Sequence, residues 1–385
     1  MPVTWLKPEL VCEVKFAEWT SEKILRQPIF IGLREDKKAI NEKNEKVVKA
    51  PVKKKNAAAP VKPGTARKKT TAPVRISGEA KEEKVIVEGH ELTFTNLSKI
   101  YWPAEKITKR DILNYYTQMA PYILPYMINR PQSLNRHPDG IDRPNFFQKN
   151  MGEHAPGWIT TFPFTGDKGK TPTNYLVCKG EAELLYMASQ GCIEMNPWHS
   201  RIPDIEFPDW CVIDLDPDTN TFDKVIETAN MVKQVLDNIG VEGYCKTSGS
   251  TGLHIYVPLG AKYTYDQSRM LAELVVTLVH NELPRFTSLE RSPAKRKGKI
   301  YLDYLQNKTT QTIAAPYSLR PKPGAPVSTP LQWEEVKKGL RIKDHNINNA
   351  LARVKETGDI FKPVLGKGAD LKKAIKKIES LLPSS

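Results

Sequence analysis

Between Phe30 and Phe94 the chain contains no phenylalanine, tyrosine or tryptophan. Acids are almost missing from the same region: residues 37–75 carry thirteen Lys/Arg against only Glu42 and Glu45, a net of +11. A stretch this polar, rich in Ala, Pro and Lys, cannot bury enough apolar surface to offset the entropy of ordering. It is expected to be a disordered basic linker, either a plain tether or a loose hold on DNA through counterion release. Cysteine is also scarce. The five present (Cys12, Cys178, Cys192, Cys211, Cys245) are scattered and form no CxxC pair, which argues against a disulfide framework or a zinc site. No signal peptide and no apolar run of membrane-spanning length is apparent, so a soluble, cytoplasmic protein is expected. With 385 residues there is room for one large domain or two ordinary ones. The net charge of +14 points to a polyanionic partner, although solvated basic faces are common.

Against these absences, the stretch Trp210–Pro217, WCVIDLDP, stands out. Its apolar, β-branched start reads as a buried strand, and Pro217 ends the ladder. Residues two apart on a strand share a face, so Asp214 and Asp216 lie side by side. Paired carboxylates repel unless they share a proton or bind cations. A turn or capping pair at a strand end is the alternative. A third acid, Asp303, sits within a second apolar strand, KIYLDYL at residues 299–305, where a lone carboxylate needs a partner. A shared divalent metal would supply it.

Other segments are less specific. Val85–Val87 and Leu92–Phe94 read as strands about a Gly89 turn. Thr108 reads as the N-cap of a helix over 109–120, preceded by Lys99 and opened by Lys109. A lysine there opposes the helix dipole unless an anion is bound, and a solvated lysine is the other reading. The loop NRHPDGIDRPNFFQKN, 135–150, contains Phe146-Phe147 among Arg136, Arg143 and Lys149: either core aromatics, or rings for a base beside phosphate-holding cations. Residues 173–196 read as a strand, a helix at 181–190, and a strand through Cys192–Met195. Helices are expected at 222–236 and 266–282 and in the tail beyond Trp333. Between the first two lies the hairpin YCKTSGSTGLHIYV, a Ser/Gly turn that lets backbone N–H groups approach an anion. His254 follows the turn, either a phosphate donor or a core histidine.

Taken together, DLD, SGSTGLH, YLDYLQN and APYSLRPKPGAPVSTPLQWEEV resemble the polymerase domain of bacterial DNA ligase D, in the archaeo-eukaryotic primase superfamily, over residues 84–380. Residues 5–37 resemble the closing part of the OB-fold domain of ATP-dependent DNA ligases, without the KxDG lysine of a ligase adenylation domain, so ligase activity is not expected. The expected organisation is therefore an OB-fold fragment at 1–36, the basic linker at 37–83, and an α/β (α+β) primase-like domain with an RRM-like sheet at 84–380. The resemblance implies gap filling and end extension in non-homologous end joining, at the bacterial nucleoid and beside the end-binding protein Ku, with ribonucleotides favoured over deoxyribonucleotides. It implies two Mn²⁺ or Mg²⁺ ions on Asp214, Asp216 and Asp303. It places the NTP or dNTP triphosphate on Ser248, Thr251, His254, Arg296, Arg320, Lys149 and Asn196. Thr251 stands where some relatives have lysine, and Asn196 where some have histidine. It places the 5′-phosphate of a gap or broken end on Lys99 and Lys109, and the template strand on Phe146 and Phe147 with Arg136. A metal-dependent phosphoesterase and a non-catalytic end-binding module are the other classes open.

Overall fold

The structure, a computed structural model, describes residue 76, residues 78–152, 155–166 and 171–381, and four strands nearer the N-terminus. The chain divides into two units, Met1–Lys69 and Thr70–Ser385. In the first, Cys12–Lys15 pairs antiparallel with Ile29–Leu33, and Glu18–Trp19 with Leu25–Arg26. The expectation of disorder over 37–75 lies outside the described residues.

The second unit begins earlier than composition suggests. Ile76 is fully buried, and the Asn114 carboxamide brackets its backbone, accepting from Ile76 N at 2.9 Å and donating to Ile76 O at 3.0 Å. Leu97 N likewise donates to Lys81 O. Residues 76 and 78–83 therefore belong to the folded domain, although nothing aromatic marks them. The hairpin Glu83–Val87/His90–Phe94 follows, with Glu88 and Gly89 both at positive φ, the backbone a tight two-residue hairpin turn requires. The helix Lys109–Ile123 opens on a capping box: Asp111 accepts from Thr108 N at 2.7 Å, and Thr108 Oγ1 from Asp111 N at 3.4 Å.

The strand expected through Cys192–Met195 does not form. The segment makes an isolated bridge, Cys192 to Arg136, and side chains and loops satisfy its other backbone groups. Tyr116 donates to Ile193 O at 2.5 Å, Ser318 Oγ accepts from Met195 N at 2.8 Å, and Ala315 N donates to Met195 O at 2.9 Å. An apolar run of four reads alike for a ladder strand and for a buried connection.

At the centre lies a six-stranded sheet. Its core runs Trp210–Asp216, helix Phe222–Asn238, Tyr244–Thr247, Leu253–Pro258, helix Tyr265–Glu282, Ile300–Asp303. Numbered one to four along the chain, these strands lie in the order 4-1-3-2, the split βαβ arrangement of RRM-like sheets. The α/β architecture is as expected. Period-two alternation then divides the first strand. Cys211, Ile213 and Leu215 pack with Val225, Ala229, Leu271 and Val275 of the two helices. Trp210 and Val212 face the opposite way, into the core shared with the N-terminal half. Asp214 and Asp216 continue that second face beyond the point where core packing ends.

Candidate active site

The sheet register brings the acids together. Asp214 pairs with His254 on one neighbouring strand and with Asp303 on the other, and His254 pairs in turn with Lys246. Lys246, His254, Asp214 and Asp303 thus form one row across four strands. Asp303 is the last residue of its strand, not its middle. The strand peels away there, and Asn307 closes the ladder in its place. Its carboxamide donates to Val212 O at 2.7 Å and accepts from Val212 N at 2.8 Å. Asp303 is then held by Leu305 N at 2.8 Å and Gln306 Nε2 at 3.1 Å.

Crowding shows in the electrostatics. Burial, then the charges of Asp303 and Asp216, push the Asp214 carboxyl up to about 7, against the smaller pull of Lys246 and Arg320. Its side chain keeps 22% of its surface exposed, so solvent tempers the effect. Burial also raises Asp303. Asp216 has one cation near: Arg296 Nη1 stands 3.4 Å from it, with the guanidinium 3.9 Å from the centre of the Tyr301 ring.

A cleft of about 340 Å³ opens beside the acids, lined by Asp214, Asp216, Ser248, Thr251, His254 and Arg320 among others. Gly252 lets the hairpin turn lie against the aspartate strand; a Cβ there would stand 1.9 Å from Leu215 O. Gly249, at φ +68°, likewise leaves room for Arg320, since a Cβ would stand 2.6 Å from its Cγ. Two of the turn's N–H groups, expected to be open to an anion, are committed: Ser250 N and Gly252 N each donate to Ser248 Oγ at 3.0 Å. The Ser248 hydroxyl proton remains to donate into the cleft. Arg320 donates from Nε to Glu194 at 2.9 Å and from Nη1 to Ser248 O. Glu194 also accepts from Asn135 at 3.1 Å and Asn196 at 3.2 Å, and these donors together with Arg320 hold its carboxyl below the usual range despite burial.

Not all expected residues gather here. Lys149 is exposed and outside the cleft lining. Arg296 flanks Asp216 from outside it. Phe146 and Phe147 are 48% and 60% exposed, so the core reading fails for both. Phe147 lines the cleft, whereas Phe146 lies under the Arg136 guanidinium, 5.3 Å away. Arg136 is otherwise spent on Gln148 and Gln190. Lys99 pairs with Asp139. Lys109 is buried and donates to Thr95 O at 2.9 Å; burial, then Lys99 and Arg136, bring it down to about 8. The four described cysteines (Cys178, Cys192, Cys211, Cys245) are buried and unbridged, as expected.

The sequence reading missed Lys246, Glu194 and Asn307. A lysine inside the apolar strand YCKT is a signal that was there to use, because a buried cation demands partners.

A sequence model of the LigD primase-polymerase domain matches residues 108–361. The chain belongs to the LigD primase-polymerase family. A second model, the C-terminal region of ATP-dependent DNA ligases, matches residues 1–37. The bifunctional non-homologous end joining protein LigD of Bacillus subtilis is 34% identical over 70% of this chain and 43% of its own length. The multifunctional LigD of Pseudomonas aeruginosa is 30% identical over 92% of this chain and 40% of its own length. The chain thus spans less than half of these relatives. Among solved structures, the polymerase domain from Mycobacterium tuberculosis ligase D, in complex with DNA, is similar with a TM-score of 0.67 and 29% identity, covering 72% of this chain and 99% of that one.

The acids offer only oxygen donors, suited to a hard divalent cation such as Mn²⁺ or Mg²⁺, and their mutual repulsion is what such a cation relieves. Among the described residues no group of three or more His, Cys, Asp or Glu stands ready to hold an ion as placed. No helix among the described residues is long and apolar enough to cross a membrane.

Proposed function

We propose that the chain is a nucleotidyltransferase that extends DNA 3′ ends against a template, filling short gaps and broken ends in non-homologous end joining. The carrying observation is the juxtaposition of three carboxylates with a cleft lined by phosphate donors. Hydrolysis by a phosphoesterase would not need Ser248, His254 and Arg320, and a site that only bound DNA would not crowd three acids together. Asp214 and Asp216 would hold two divalent cations between them and Asp303 one. Bound there, the cations would activate the primer 3′-hydroxyl and offset charge on the leaving pyrophosphate.

The chain's own residues do the rest. Ser248 Oγ, His254 and Arg320 donate to the triphosphate, and Glu194 fixes the Arg320 plane so that its free donors face the cleft. Arg296 balances Asp216. Phe147, at the mouth, stacks on a base, with Phe146 and Arg136 supporting it. Lys99 and Lys109 take the 5′-phosphate across the gap. The DNA complex of the M. tuberculosis relative supports a DNA partner. Preference for ribonucleotides and assembly with Ku complete the proposal on family resemblance.

The test is primer extension on a 5′-phosphorylated short-gap duplex with Mn²⁺ or Mg²⁺, comparing ribo- and deoxyribonucleotides, beside the Asp214→Ala/Asp216→Ala chain. Templated addition lost in the double variant is the expected result. Gap binding without any addition by the intact chain would leave an end-binding module, and release of nucleotides without addition would indicate a phosphoesterase.

A further inference from the structure

Lys246 is fully buried behind the cleft, yet it does not line it. Burial and then Arg320 lower this amine, while Asp214 and Cys245 oppose them; held as an ammonium it carries three protons and meets three neighbours, Ala314 O at 3.0 Å, Ser328 Oγ at 2.6 Å and His254 Nδ1 at 2.8 Å. The direction of each bond can be worked out. A carbonyl only accepts. Ser328 spends its own proton on Thr247 O at 2.8 Å, so towards Lys246 it too accepts. The third ammonium proton is left for Nδ1, which must then present its lone pair. On the other side of the ring, Nε2 stands 3.4 Å from Asp214 Oδ1. The Lys246 side therefore selects the tautomer in which Nε2 carries the proton.

We propose that Lys246 is a positioning residue that locks His254 as the neutral Nε2–H tautomer, so that the ring offers a donor, never an acceptor, to a triphosphate oxygen in the cleft. The proposal rests on the nucleotidyltransferase reading for the identity of the acceptor, but not for the tautomer. An unanchored imidazole divides itself between two tautomers and rotates; anchoring it from behind removes both losses before substrate arrives. The same ammonium spans from the hairpin to Ala314 and Ser328, and so registers the histidine against the segment that carries Arg320.

The deciding experiment is a two-bond ¹H–¹⁵N correlation spectrum of the full chain carrying ¹⁵N-histidine, without nucleotide, with His254 assigned by its loss in His254→Gln. The Nε2–H pattern is expected; an Nδ1–H pattern or an even mixture in the unsubstituted chain overturns the proposal. Lys246→Met should convert the pattern to a mixture and raise KM for the nucleoside triphosphate by about tenfold, with a smaller change in kcat. It should add little in the His254→Gln background, where the carboxamide supplies its own N–H. Additive effects of the two substitutions would mean that Lys246 acts by another route. If Lys246→Met does not fold, the spectrum of the unsubstituted chain still decides. If the intact chain adds no nucleotide but shows the Nε2–H pattern, the polymerase reading fails and the tautomer assignment stands.

Discussion

The cleft and the basic face beside it are built on opposite terms. In the cleft the charges are half-buried or buried; the protein answers Asp216 with Arg296, Glu194 with Arg320 and Lys246 with three hydrogen-bond partners, but leaves Asp214 crowded by its fellow acids. On the loop around Phe146 the rings are 48% and 60% exposed, with Phe147 where the loop meets the cleft, and Arg143 and Lys149 reach solvent. The first region is pre-organised and holds unfavourable charge ready for a ligand. The second is open surface whose partner must supply the order. Substitutions should therefore separate the two, the cleft governing chemistry and stability, the face governing DNA affinity.

The largest expected effect is on chemistry. Asp303→Ala should reduce nucleotide addition to background while leaving the Kd for a 5′-phosphorylated gap within about twofold, as measured by fluorescence anisotropy. A parallel loss of binding would erase the division between the regions.

Next comes stability, and its sign is the opposite of the usual carboxylate. Folding raises Asp214 from 3.8 to about 7, so between those limits the folded chain holds a proton that the unfolded chain has released. The contribution of Asp214 to stability in EDTA should therefore fall as pH rises from about 4 to about 7, by about 2–4 kcal/mol after allowance for partial exposure, while buried histidines such as His199, lowered to about 3, contribute with the opposite sign. Asp214→Asn should be inactive and gain stability relative to the parent as pH rises, being the more stable of the two at pH 8. Urea titrations at pH 5 and pH 8 decide this, and a less stable Asn chain at pH 8 would show that the acids are not held under repulsion.

On the face, Phe147→Ala should weaken gap binding by about 1–3 kcal/mol, the worth of one stacked base, without lowering kcat at saturating DNA. The smallest effect belongs to Lys99, half-exposed and paired with Asp139. Lys99→Ala should lower the slope of log K against log salt by about 1 and reduce the preference for a 5′-phosphate over a 5′-hydroxyl. An unchanged slope would make it a surface ion pair and nothing more.

The same contrast explains what could be read in the sequence. Period two is a strong signal, so Asp214 and Asp216 could be placed on one face with no structure, and a charged residue in an apolar strand marked Asp303. The hairpin and both long helices lie within two residues of where periodicity put them. Lys246 obeys the same rule, a charge inside the apolar strand YCKT. Glu194 could not be read, because its meaning lies in Arg320, 126 residues away. The Cys192–Met195 segment forms no strand because its partners, the Tyr116 hydroxyl on a helix and Ser318 Oγ and Ala315 N on a loop, lie far off in sequence and leave no local pattern. For Phe146 and Phe147 the residues alone left core and base-stacking readings open, and their exposure is what separates a stacking surface from packing. The early start of the domain at Ile76 was invisible for a related reason: one isoleucine and one asparagine hold it.

The division of the Trp210–Asp216 strand also bears on how the site is assembled. Three apolar residues face the helices and two acids face the cleft, in strict alternation. A slip of one residue in this strand's pairing would turn Asp214 and Asp216 into the helix-packed core and push Ile213 and Leu215 out beside the cleft. Every misregistered partner is thus penalised several times over, by buried charge and by lost core at once. The carboxylates act as proofreaders of the sheet that carries them: folding either delivers the row from Lys246 to Asp303 whole or fails to close the core, and no long-lived species with a half-built site should accumulate.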